Sequence, residues 1–201
     1  MLWHNPKVIF IHIPKTGGSS IENFAHRCRW LLSRDGKIGQ HSTLQNCADL
    51  VGDLSEYKIF TVVRPTADRI LSAYMMYHRR KSFAFSLDLN GRSYVSFPEF
   101  YGTIDNHSLH CEDIFHYLEV DGKIPEHVHM LDFRNLEGDF KKFWADECGF
   151  ELSTEFPHYN QVQEPDDQVR EYLMADPGFH EFIERVYADE VEYLREFFAG
   201  S

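Results

Sequence analysis

Hydrophobic and polar positions along the chain alternate between two periods, and the first switch comes early. The β-branched residues Val8, Ile9, Ile11 and Ile13 form an apolar run of the kind that suits a strand covered on both faces, as in a parallel sheet. Pro14 removes a ladder donor and stops that strand. Beyond it Ile21, Phe24, Ala25, Cys28, Leu31 and Leu32 recur at helical spacing and predict an amphipathic helix with Ser19 and Ser20 in its first turn. The alternation repeats. Residues Lys58 to Val63 read as a second strand, and Pro65 opens a helix whose apolar face carries Ile70, Leu71, Tyr74 and Tyr77. Val128 to Phe133 reads as a third strand, followed by a helix near Leu136 to Cys148 that Gly149 ends. One long helix is expected at the carboxyl end, with Phe182, Val186, Val191, Leu194 and Phe197 on its apolar face and a solvated acidic face opposite. Strands alternating with helices predict an α/β fold around a mostly parallel sheet.

Residues 80 to 125 break this rhythm and are rich in aromatics, including Phe83, Phe85, Tyr94, Phe97, Phe100, Tyr101, Phe115 and Tyr117. Two readings of the segment stay open: a lid on the acceptor side of a site, or helices that pack the core, which the spacing of Phe97, Phe100 and Tyr101 favours locally. No linker, repeat or low-complexity tract divides the 201 residues, so a single domain spanning 1–201 is expected.

The junction between the first strand and helix carries the most chemistry. Lys15-Thr16-Gly17-Gly18-Ser19-Ser20 combines a cation, three hydroxyls and two glycines at a helix start, where unpaired backbone N–H groups and the helix dipole attract phosphate. The glycines let the backbone wrap an anion closely. In a Walker-type loop the lysine follows the glycines, whereas here Lys15 precedes them. At the end of the second strand Arg64 is delivered to the same carboxyl edge of the sheet, where ligands of open α/β folds collect.

The order His12-Ile13-Pro14-Lys15-Thr16-Gly17-Gly18-Ser19-Ser20 resembles the 5'-phosphosulfate loop of sulfotransferases that use 3'-phosphoadenosine 5'-phosphosulfate (PAPS), above all the carbohydrate type. Arg64 and Ser72, separated by seven residues and followed by Tyr74, resemble that family's 3'-phosphate element. The pairing of Arg64 with Ser72 rests on the resemblance. So does the implied three-layer αβα architecture of the P-loop-like sulfotransferase fold. Pro157-His158-Tyr159-Asn160 resembles a family loop near the cofactor, and Tyr187-Ala188-Asp189-Glu190 its terminal helix. In the family a histidine in a short glycine-containing segment after the first helix is the general base, which implies that role for His41 in Gly39-Gln40-His41. An imidazole, with an ordinary pKa of about 6.5, suits removal of a hydroxyl proton near neutral pH. His12 is expected to organise the loop. The resemblance therefore implies transfer of a sulfuryl group from PAPS to an acceptor hydroxyl on a carbohydrate, with Lys15 and the Gly17 to Ser20 amides stabilising the leaving phosphate of the product PAP.

Charge and composition narrow the partners. A net charge of -12 argues against a general nucleic-acid binder, which needs a broad basic footprint. The basic run Arg79-Arg80-Lys81 reads first as compensation of a helix dipole, with acceptor steering as the alternative. No apolar stretch approaches the ~20 residues that cross a bilayer, so a soluble, cytoplasmic protein is expected. Cys28, Cys47, Cys111 and Cys148 lack framework spacing and are expected as thiols. Neither His107-x2-His110-Cys111 nor His127-x-His129 resolves into a familiar four-ligand pattern, so no metal is expected. Two other classes remain: an ATP- and Mg2+-dependent kinase on a P-loop fold, and a nucleotide binder without a working base.

Overall fold

The computed structural model describes residues 1–28, 39–79, 96–108, 110–153, 155–157 and 164–200. Four strands, β1 (Leu2–His4), β2 (Lys7–Ile11), β3 (Lys58–Val63) and β4 (Val128–Asp132), form one sheet in that order. Strands β2, β3 and β4 are parallel, with Ile11 opposite Thr61 and Val63 opposite Asp132, while β1 pairs antiparallel with β2. This is an α/β architecture with a mixed, mostly parallel sheet. Among the described residues its helices are α1 (Gly18–Arg27), α2 (Leu44–Val51), α3 (Thr66–Arg79), α4 (Phe97–Thr103), α5 (Ile114–Leu118), α6 (Leu136–Cys148), α7 (Glu164–Met174), α8 (Pro177–Val186) and α9 (Ala188–Gly200).

The chain divides into two compact units, 1–64 with 114–161, and 65–113 with 162–201. In the first, one sheet face contributes Val8, Phe10, Phe60, Val62 and Leu131 to a core shared with Ile21, Phe24 and Ala25 of α1 and Phe140, Phe143 and Trp144 of α6. Side chains alternate along a strand, so Ile9, Ile11, Ile59 and Val63 point to the other face, and they are buried too. That double burial is why the strands read as continuous apolar runs. Aromatic rings dominate the first face: Phe10 stacks on Phe60 at 4.8 Å, and Phe24 meets Phe140 edge-on at 5.5 Å. Each such ring contributes about 1.5–3 kcal/mol by leaving water. Helix α6 ends as expected, at Cys148, where Gly149 takes a left-handed φ of 70° and its N–H caps the Ala145 carbonyl.

The second unit is helical. Ile70, Leu71, Ala73 and Tyr74 of α3 share a core with Phe97 and Phe100 of α4 and Phe179, Phe182 and Ile183 of α8. Phe97 lies 4.7 Å from Phe179, ring to ring. Within the segment considered as a lid, α4 is thus a packing helix; residues 80–95, with Phe83, Phe85 and Tyr94, lie outside the described residues.

Two expectations need correction. The carboxyl-terminal region is not one helix: α8 stops at Val186, Tyr187 adopts φ -121° and ψ 26°, and α9 begins at Ala188. The apolar stripe runs through this break in register, so hydropathy alone carries no sign of it. Nor is the acidic face wholly solvated. Glu190 is 1% exposed, and its carboxylate accepts hydrogen bonds from Thr66 Oγ1 at 2.8 Å and from Arg69 Nη2 at 2.9 and 3.0 Å. The buried Tyr187 hydroxyl donates to the carbonyls of Cys111 and Asp105, at 2.7 and 3.2 Å. These two buried polar side chains lie at and just after the break between the helices.

Candidate functional site

The parallel register decides where the candidate residues emerge. Because β2 and β3 run side by side in one direction, the residues after Ile11 and after Val63 leave the sheet at the same edge. There Arg64, 8% exposed, donates from Nη1 to the Lys15 carbonyl at 3.2 Å, and its guanidinium lies 4.2 Å from the centre of the Phe133 ring. Arg64 thereby braces the loop from below. Lys15 is a non-glycine residue at φ 68°, a left-handed conformation that costs roughly 1 kcal/mol or more. The Arg64 bond falls on the carbonyl of this strained residue.

Both glycines of the loop are required by geometry. Gly17 sits at φ 84° as the residue before α1, and a Cβ there would meet Leu136 and Phe133 at 3.0 Å. A Cβ on Gly18 would lie 2.2 Å from the His12 ring, a severe overlap. Removing that one methyl group lets the imidazole sit against the start of α1. Thr16 is almost fully buried, and its hydroxyl donates to the Ile13 carbonyl at 2.8 Å, closing the turn out of the strand. Ser20 is 5% exposed and its N–H bonds the Gly17 carbonyl at 2.9 Å, while Ser19 is half-buried. The α1 start has no side-chain cap and no acidic residue in its first turn. Its positive end therefore meets a loop bearing Lys15 rather than a carboxylate, an arrangement suited to an anion.

His41 returns to this loop from far along the chain. Its Nδ1 lies 2.9 Å from the His12 carbonyl, and the two imidazole rings are 4.5 Å apart, tilted by 57°. A carbonyl only accepts, so Nδ1 carries the proton and the lone pair of the neutral ring is on Nε2. His12, 3% exposed, shares a hydrogen bond of 3.0 Å between its Nδ1 and Glu22 Oε1. The other oxygen of Glu22 accepts from Gln40 Nε2 at 2.9 Å. Burial pushes the Glu22 carboxyl up, but the His12 hydrogen bond and the two nearby imidazoles outweigh it and hold the group below its ordinary value. The sequence carries no local signal for Glu22 or Gln40. Glu22 lies on the polar side of an amphipathic helix, where a carboxylate is ordinary.

Other candidates are placed differently. Ser72 is half-buried on α3, in the second unit, and its association with Arg64 stands on the resemblance alone. His158, Tyr159 and Asn160 lie outside the described residues, as do Arg80 and Lys81. His129 faces Glu147 at 3.8 Å, and His127 is exposed just before β4. Among the described residues no group of three or more His, Cys, Asp or Glu side chains is arranged to hold a metal ion. None of the four cysteines is in a disulfide, and no helix among the described residues is long and apolar enough to cross a membrane. Comparison with protein-family models, with curated proteins and with solved structures returned no match to this chain.

Proposed function

We propose that the protein is a PAPS-dependent sulfotransferase that moves a sulfuryl group to an acceptor hydroxyl, on a carbohydrate, within a three-layer αβα, P-loop-like fold. The observation that carries this reading is the bond between His41 Nδ1 and the His12 carbonyl, three residues before Lys15. It joins an acid–base group to a phosphate-type loop through the backbone of that loop.

The residues present fit a 5'-phosphosulfate: an uncapped helix start after a left-handed glycine, a lysine beside it, and no acidic side chain in the first turn. Bound there, PAPS would supply an activated sulfur whose bond to the phosphate oxygen breaks as the bond to the acceptor oxygen forms. His41 Nε2 takes the acceptor's hydroxyl proton, which converts a poor nucleophile into a competent one. Lys15 and the backbone N–H groups of Gly17 to Ser20 offset the charge that accumulates on the departing phosphate, an effect that grows as water is excluded. Thr16 holds the turn. Arg64 takes the part of the 3'-phosphate partner implied by the resemblance, with Ser72 as the second member of that element.

Calorimetric titration with 3'-phosphoadenosine 5'-phosphate (PAP), against AMP and against ATP with Mg2+, tests the reading without knowledge of the acceptor. Preference for PAP that is lost in Arg64→Ala is the expected result. Preference for ATP with Mg2+ would favour a kinase, and no nucleotide binding would overturn the proposal. His41→Ala is expected to abolish transfer from PAPS to a panel of monosaccharides and leave PAP affinity within about threefold. Unchanged transfer would remove His41 as the base.

A further inference from the structure

A base works only if its ring is held in one orientation and one tautomer, and His41 stands on a segment with little packing of its own. Gln40 beside it is exposed and His41 is only half-buried. Polar contacts then bear on how the ring is held. Two lines of contact converge on a single carboxylate. One oxygen of Glu22 holds the His12 ring, at 3.0 Å, and the carbonyl of that same His12 receives His41 Nδ1 at 2.9 Å. The other oxygen of Glu22 holds the side chain of Gln40, the residue covalently joined to His41, at 2.9 Å. The circuit from Glu22 through His12 to His41, and back through Gln40 to Glu22, is closed.

We infer that Glu22 is the positioning residue of this site: through His12 and Gln40 together it holds His41 as the Nδ1–H tautomer with Nε2 as its basic nitrogen. The inference rests on the proposed role of His41 for its functional meaning, but the geometry and its test do not. Glu22 has the reach for both grips because it stands on the second turn of α1, and Gly18 one turn earlier leaves room for the His12 ring between helix and strand. Its side chain is 14% exposed, so water competes weakly for the carboxylate. A charge-assisted bond of this kind is worth about twice a neutral one, which suits a carboxylate for restraining an exposed segment.

The logic parallels other acid–base sites, where a carboxylate orients an imidazole and fixes its tautomer. Here the carboxylate acts one step removed, on the neighbours of the base rather than on its ring. That arrangement makes a distinct prediction: cutting either grip releases the ring.

The test reads the ring nitrogens of His41 by NMR on 15N-labelled protein, at mildly alkaline pH, with the His41 signals identified by their loss in His41→Ala. In the wild type one tautomer, protonated at Nδ1, is expected to dominate. Glu22→Ala should reduce that preference roughly fivefold or more, because it removes both grips on the segment. Gln40→Ala, an exposed substitution with little consequence for folding, should change it in the same direction by less. PAP affinity, measured by calorimetry on the same samples, should stay within about threefold of the wild type, because neither residue belongs to the phosphate loop. A His41 ring unchanged in both variants would overturn the positioning role and leave the sulfotransferase reading intact. Failure of PAP to bind the wild type would overturn that reading and leave the ring measurement standing. Activity adds a final check: if Glu22 acts through His41, Glu22→Ala should lower kcat by less than His41→Ala does, with the KM for PAPS little changed.

Discussion

The two units bury polar groups in opposite ways. Among the buried polar side chains of the sheet-containing unit, Thr16 and Arg64 donate to carbonyls of the loop that follows β2, and His12, at the start of that loop, meets Glu22 of α1. In the helical unit the buried Arg69 and Glu190 side chains pair with each other, Thr66 donates to the same carboxylate, and the guanidinium lies 6.0 Å from the centre of the Tyr187 ring. Polar burial of the first kind shapes a backbone so that its own N–H groups can face a ligand. Burial of the second kind ties α3 to α9, because a buried charge is tolerated only when it is hydrogen-bonded and paired. The same cost of desolvation is therefore met at the candidate site in one unit and in a packing arrangement in the other.

Breaking the helical unit's pair should have the largest effect. Arg69→Ala leaves the Glu190 carboxylate buried and should cost about 3–5 kcal/mol in urea unfolding, whereas replacing Arg69 and Glu190 together by Met and Leu should recover most of that loss. If the double replacement is as damaging as the single, the pair does more than satisfy itself. Gly18→Ala comes next: the added methyl overlaps the His12 ring, and a loss of about 2–3 kcal/mol is expected together with weakened PAP binding. Gly122→Ala, at φ 77° with nothing within 4 Å of the added methyl, is the strain-only control and should leave PAP affinity unchanged.

Acid titration sharpens the comparison further. Glu22 has its carboxyl held below the ordinary 4.5, so its contribution is present above that pH and is lost as pH falls through the lower native value. Glu22→Gln should be less stable than wild type at neutral pH, by about 2 kcal/mol for a charge-assisted bond. Circular dichroism should show the two stabilities converging in acid; a gap that stays constant with pH would mean the charge is irrelevant. The smallest effect concerns reactivity at the first unit's rim. Burial, followed by the Glu147 charge, pushes the Cys148 thiol up to about 11 from 9.0, so alkylation near neutral pH should be roughly a hundredfold slower than for a free thiol. Labelling at the ordinary rate would show that α6 frays at its end.

Much of the sheet unit was legible because local and long-range demands agree there. The strand at Val8, the turn at Pro14 and the helix after Gly18 each carry a local signal, and the tertiary structure uses each as it stands. Helix α6 is bounded by Gly149 as its sequence requires. Strand β1 was not anticipated: Leu2 and Trp3 are too few to show a period, and they became a strand only by pairing with β2. Glu190 misled because an acidic residue among acidic neighbours reads as surface, and only the arrival of Arg69, 121 positions away in sequence, makes its burial acceptable.

The sequence by itself determined the alternation of strands and helices, the glycine-bearing loop with its lysine, and the arginine that follows the second strand, because period, turn chemistry and charge are local properties. Tertiary structure alone decided that Arg64 would brace the Lys15 carbonyl, that His41 would hang from the backbone of His12, and that Glu22 would grip both sides of it. Those contacts join residues 10 to 49 positions apart. A hydrogen bond requires a partner within about 3 Å, and for residues so separated only the folded sheet supplies it.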